Sequence, residues 1–182
     1  MAPTTKPQAK CPLWFKIGFH GTRARVGESS QDLKDETSMT IDQIIEDLEF
    51  LDDWEDRYRH IIDLGKGLEP LPEAARTDAH KVRGCASQVW LDTSVGGKDD
   101  EPVLHFRADS DAHIVKGLIR IILAIYGNRS AREILRTDAG AIFQRIGLDQ
   151  HLTPQRSNGV RAMVERIKAD AAKALAMAEG PA

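Results

Sequence analysis

The sequence predicts an α+β domain, a small antiparallel sheet covered on one face by helices. Three observations lead there. Apolar residues recur at helical spacing from Ile41 to Ile62 and again from Ile114 onward. Between them, two short runs alternate with a period of two around a Gly-Gly turn. The order helices, sheet, helices fits segregated layers rather than repeating strand–helix–strand units.

The folded part begins at Thr40-Ile41-Asp42-Gln43, which has the form of a capping box. Ile41, Ile44, Ile45, Leu48 and Leu51 follow on one helical face. A second helix carries Trp54, Tyr58, Ile61 and Ile62 and is expected to stop near Gly65, a natural C-cap residue. Leu68 to Pro72, with its two prolines, reads as a connector. Gln88 to Val95 is the first strand, with Val89, Leu91 and Thr93 on one face. Gly96-Gly97-Lys98-Asp99-Asp100 turns the chain, and Val103 to Ala108 alternates Leu104, Phe106 and Ala108 against Val103, His105 and Arg107.

Helices resume at Asp109 or Ser110. Ile114, Leu118, Ile121, Ile122 and Ile125 form a broad apolar face closed by Gly127-Asn128. Ser130-Ala131-Arg132-Glu133 is a second capping box, opening a short helix through Leu135. Another short helix carries Ile142, Phe143 and Ile146. Thr153-Pro154 supplies the N-cap and first residue of a long C-terminal helix.

The 182 residues suffice for one domain with a proper core, placed at 39–178. Residues 1–27 hold five Lys or Arg and no carboxylate, without periodicity. Residues 1–38 therefore read as a disordered extension, as sequence upstream of a true start at Met39, or as a transit peptide. A net charge of −3 gives no basic surface for nucleic acid. No apolar run approaches the roughly 20 residues that cross a bilayer. The longest, Ile119 to Tyr126, is interrupted by Arg120 and reads as a buried helix. Two cysteines, Cys11 and Cys85, are too few for a disulfide framework and lack paired metal-ligand spacing. A reducing compartment, the cytoplasm, is the expected location, and the Asn128-Arg129-Ser130 sequon is then irrelevant.

Chemistry concentrates at Cys85. Gly84 allows a tight turn that puts the thiol at a loop tip before the sheet. His80, Lys81 and Arg83 precede it, and positive charge near a thiol lowers its pKa. The competing reading is a small buried hydrophobe beside a strand. Cys11, beside Pro12 in the aperiodic extension, reads as a bystander. The six histidines show no HxxxH or HExxH pattern, so no metal is expected. A Cys-His hydrolase is open by spacing but carries none of the local signatures. Gly65-Lys66-Gly67 lacks the pattern of a phosphate loop. Asp109-Ser110-Asp111 reads as helix capping, and Arg156 sits unfavourably for the dipole in the first turn of the last helix.

Four ordered stretches resemble one family. Gly84-Cys85-Ala86-Ser87-Gln88-Val89-Trp90 is similar to the G-C-x-S-Q-V-W motif of the SufE family, sulfur acceptors for cysteine desulfurases. Trp54-Glu55-Asp56-Arg57-Tyr58 with Ile61-Ile62-Asp63-Leu64-Gly65 resembles W-E-x-x-Y…I-I-x-L-G. Asp109-Ser110-Asp111-Ala112 through Leu118 resembles D-S-D-A-x-I-V-K-G-L, and Gln150 to Pro154 with Arg156, Ser157 and Gly159 resembles Q-H-L-T-P-x-R-S-x-G. Ala86 departs from the family, where glutamine is common.

The resemblance implies a fold shared with iron–sulfur scaffold proteins. It implies a sulfur carrier without a cofactor of its own, acting with a desulfurase rather than as a stand-alone enzyme. A pyridoxal-phosphate cysteine desulfurase would be the donor, Cys85 the persulfide-forming nucleophile, and a downstream iron–sulfur scaffold the acceptor. A thiocofactor or tRNA-thiolation pathway is the alternative acceptor, and an independent Cys-dependent enzyme or an inert structural domain the more distant readings. Arg83, Asp109 and Arg156 would serve partner docking or loop positioning; His151 also falls in a family motif. A single thiol suits a carrier, whereas a cluster scaffold needs about three or four ligands.

Overall fold

The computed structural model describes residues 39–98 and 101–179. The extension 1–38 with Cys11, and the turn residues Asp99 and Asp100, lie outside the described residues. Helix α1 (Ile41–Phe50) opens on the expected capping box. Thr40 Oγ1 accepts from Gln43 N, the Gln43 side chain accepts from Thr40 N, and Ile44, Ile45 and Leu48 are buried. Helix α2 (Trp54–Lys66) is capped by Asp53, whose carboxylate accepts from Glu55 N.

α2 stops where expected, at Lys66 one residue past Gly65, but the cap is Gly67, whose N–H closes the helix on the Leu64 and Gly65 carbonyls. Gly65 serves a close approach instead. α2 packs against helix α3 (His113–Tyr126), where a methyl on Gly65 would lie 2.6 Å from Gly117 N and one on Gly117 would sit inside the Ile61 carbonyl. Two glycines facing each other let two backbones touch, so Gly65 is there for packing and not as the cap.

Strands β1 (Val89–Lys98) and β2 (Glu101–Ser110) pair antiparallel, with Val89 opposite Ser110 and Lys98 opposite Glu101. Both are longer than the alternation suggested. The inward residues Val89, Leu91, Leu104, Phe106 and Ala108 are buried, as the period of two requires. A third strand, β3 (Arg129–Ser130), adds to β2 at Val103 and Leu104 and completes the order β1-β2-β3. At two residues it is too short to leave a pattern.

The helix expected from Asp109 starts later. β2 runs through Ser110, and α3 begins at His113 after Ala112, which gives no side-chain cap. The carboxylates of Asp109 and Asp111 are engaged elsewhere, as described below. Helix α4 (Ala131–Arg136) opens on the Ser130–Glu133 capping box. Helix α5 (Ala139–Arg145) and a single turn, α6 (Leu148–His151), are separated by Gly147 at φ 75°. Helix α7 (Pro154–Glu179) starts with Thr153 Oγ1 accepting from Arg156 N. α3 is the central element: Leu118, Ile119, Ile121, Ile122 and Ile125 are almost fully buried between the sheet and the other helices. Among the described residues no helix is long and apolar enough to cross a membrane.

Candidate functional site

Cys85 sits in a loop, residues 83–88, closed at its base by the sheet. Val82 N donates to Val89 O at 2.8 Å, Leu91 N to His80 O at 2.8 Å, and Lys81 bridges Trp90. Gly84 has φ 93°, a conformation that side chains rarely adopt, so the tight turn read from the sequence is present.

The far end of the loop is tied down at Gln88. Its N–H donates to Asp111 Oδ1 at 3.0 Å; its carbonyl accepts from Ser110 Oγ at 2.8 Å and from Asp111 N at 3.3 Å. Its side-chain oxygen accepts from Lys81 Nζ at 3.2 Å. The Ser-Asp pair read as helix capping is therefore a fastening for the cysteine loop.

The preceding carboxylate, Asp109, holds the connector. It is fully buried opposite Trp90 on the outer side of the sheet. Oδ2 accepts from Arg76 Nη2 at 2.6 Å and Leu71 N at 3.3 Å; Oδ1 accepts from Ser110 N at 2.8 Å and pairs with Lys116 Nζ at 3.0 Å. Burial alone would raise this carboxyl's pKa, but the Lys116 hydrogen bond, the Ser110 N–H and Arg76 more than offset it and hold it below its ordinary value. The Arg76 guanidinium also lies 5.6 Å from the Trp90 ring centroid.

Cys85 itself is half-buried, its Sγ 3.6 Å from the Gly159 carbonyl oxygen on α7. Beneath the loop is a hollow of about 20 Å³, walled by Val115 and Leu118 of α3 and Val160 and Met163 of α7, with Arg156 at its edge. Burial pushes the thiol pKa above its ordinary value. This overturns the expectation that the basic flank activates the thiol. His80 Nδ1 is 2.7 Å from Ala75 O, Lys81 is held by Gln88, and Arg83 is exposed on a separate cleft shared with Glu165 and Arg166. Nearness in sequence put three basic side chains beside Cys85; the turn at Gly84 takes the sulfur to the hollow beside Gly159 instead.

Arg156 is half-buried, 6.0 Å from the Tyr58 ring centroid. One turn earlier on α2, Trp54 stacks on His151 with ring centroids 4.0 Å apart. All four stretches singled out in the sequence thus meet at one end of the domain: α2 supplies Trp54 and Tyr58, β2 supplies Ser110 with Asp111 after its end, and α6 and α7 supply His151, Arg156 and Gly159. Arg76 lies outside the four stretches and Lys116 stands in one of them without an assigned role; both are picked out by the carboxylate they share. Among the described residues no three His, Cys, Asp or Glu side chains converge as a metal site.

A family model for the SufE Fe–S metabolism associated domain matches residues 42–171. The chain belongs to the SufE family. An uncharacterized SufE-like protein of Rhizobium meliloti is 55% identical over 132 residues, covering 72% of this chain and 94% of the relative. One from Rhizobium etli is also 55% identical over 132 residues, covering 72% of this chain and 89% of the relative. The solution structure of a hypothetical protein from Thermus thermophilus superposes with a TM-score of 0.59 at 21% identity, over 75% of this chain and 98% of that one. This likeness supports the α+β fold. Family membership places the SufE-type chain in iron–sulfur metabolism.

Proposed function

We propose that the protein is a sulfur carrier that accepts persulfide sulfur on Cys85 from a pyridoxal-phosphate cysteine desulfurase, stimulates that enzyme, and passes the sulfur to an iron–sulfur scaffold in the cytoplasm. The observation that carries the reading is Cys85 on a fastened loop over a hollow sized for a single atom, in a chain of the SufE family. The thiolate of Cys85 attacks the terminal sulfur of the desulfurase persulfide. The donor's S–S bond breaks, a new S–S bond forms on Cys85, and the donor cysteine leaves as thiolate, so there is no net redox change. The proton lost by Cys85 is available to the departing thiolate.

The remaining residues have supporting roles in this reading. Asp109, being buried, positions rather than docks: through Arg76 and Leu71 it fixes the connector whose end forms the base of the cysteine loop. Arg83, at the start of the loop, and Arg156, lining its hollow, are the docking candidates. With the loop fastened, the added sulfur lies in the hollow away from bulk reductants, and transfer requires the loop to lift.

Intact mass after mixing with a cysteine desulfurase and L-cysteine tests the reading. The expected gain is one sulfur atom, reversed by reductant and absent in Cys85→Ala. No gain with several competent desulfurases, or a gain and stimulation retained by Cys85→Ala, overturns it.

A further inference from the structure

Gly159 lies in the second turn of α7, buried under the cysteine loop. Its φ is not in the left-handed region, so backbone freedom does not account for a glycine there. Helix propensity argues against it, since glycine is the weakest helix former after proline. What accounts for it is space. A methyl on Gly159 would lie 3.2 Å from Cys85 Sγ, 3.5 Å from Cys85 Cα and 3.6 Å from Cys85 Cβ, and these are its three nearest neighbours. The thiol also points at the Gly159 carbonyl.

We propose that Gly159 is a positioning residue for Cys85: the missing side chain is the seat into which the thiol withdraws, and it sets how far the sulfur is sheltered. The contrast with Gly65 and Gly117 is instructive. There an added methyl meets the backbone of a neighbouring helix, so the helices must part. At Gly159 its three nearest neighbours are all atoms of Cys85, a loop residue, so the loop yields before the core does. Residues on the other walls of the hollow, such as Val115 and Leu118, are part of the core and cannot adjust the thiol alone. The seat explains why Cys85 rests away from its basic neighbours. The consequence for sulfur storage rests on the carrier reading; the seat itself does not.

The test is site-resolved alkylation of Cys85 by iodoacetamide in the full chain, following the Cys85 peptide so that Cys11 does not interfere. The series Gly159, Gly159→Ala, Gly159→Val should show rising rates at neutral pH. For valine the gain should be severalfold, because the displaced sulfur leaves the burial that suppresses its thiolate. The midpoint of the pH–rate profile should move down in the same order. A second measurement separates a seat from general crowding. The stability lost with Gly159→Val should be smaller in a Cys85→Ala background, because the group it displaces is gone. A flat alkylation series in folded variants, or an equal loss in both backgrounds, overturns the proposal. If valine prevents folding, the alanine variant carries the same two readouts. An exposed, fast-reacting Cys85 that takes no sulfur from a desulfurase would refute the carrier reading and leave the seat standing.

Discussion

Removing the charge of Asp109 should loosen the whole cysteine end of the domain. In Asp109→Asn the shape is kept, but one of two oxygens becomes an NH₂ group. Each oxygen now serves one cation and one backbone N–H: Arg76 with Leu71 on Oδ2, Lys116 with Ser110 on Oδ1. Whichever way the amide turns, two donors face another donor. Breaking a fully buried ion pair costs about 3–5 kcal/mol. Here the side chains of Arg76 and Lys116 keep 38% and 29% exposure and recover some hydration, so about 2–3 kcal/mol is the expected loss. With a urea m-value of about 1.5–2 kcal/mol/M for a domain of this size, the midpoint should fall by roughly 1–2 M. The pH dependence gives an independent check. The folded pKa of Asp109 lies below the unfolded value near 3.9, so its stabilisation is present above that value and is lost as pH falls through the folded pKa. The variant should lack that share of the acid limb. A midpoint within about 0.3 M of the parent, with an unchanged acid limb, would show that the carboxylate is not what holds the connector.

Two smaller perturbations address the loop directly. Ser110→Ala removes the 2.8 Å bond to the Gln88 carbonyl, worth about 1 kcal/mol, and should raise Cys85 alkylation about fivefold; an unchanged rate would mean that Gln88 is held without it. The thiol pKa is raised by burial, so its contribution to stability is complete below the unfolded thiol value of about 8.5 and declines as pH rises toward the folded value. Urea midpoints from neutral to alkaline pH should therefore fall more steeply in the parent than in Cys85→Ala, and parallel slopes would contradict a sheltered thiol.

Much of this architecture was legible because it is written in local periodicity. The apolar faces of α1, α2 and α3, the alternation of β1 and β2, and both capping boxes depend on residues within a few positions of each other. The errors share one cause, a residue whose partner is far away in sequence. Gly65 looks like the C-cap until Gly117 is placed against it, 52 positions later. Asp109 and Asp111 look like helix caps, yet one serves Arg76 and Leu71, and the other Gln88. The basic flank of Cys85 is the plainest case: His80, Lys81 and Arg83 are its neighbours along the chain and point elsewhere in space. Gly159 falls in a family stretch and is a glycine inside a helix, which intrinsic propensity disfavours, but neither signal points to Cys85, 74 positions earlier.

These placements bear on how a carrier thiol could be both safe and reactive. A thiol kept protonated by burial is a slow nucleophile at neutral pH, so the resting form is poorly suited to attack a persulfide unaided. The fastening that keeps it so is modest. Three backbone-directed bonds at Gln88, each worth about 1 kcal/mol net, amount to a few kcal/mol. Contacts made by a docked partner easily exceed that, and lifting the loop would remove the desolvation that suppresses the thiolate. Under the proposed carrier reading, reactivity would be conditional on docking: the free chain would protect the sulfur while its loop is closed, and the bound chain would exchange it once the partner's binding energy opens the same few hydrogen bonds. In this scheme a constitutively activated cysteine, of the kind the basic flank predicts, would be a defect, since it would exchange its sulfur with any thiol in solution.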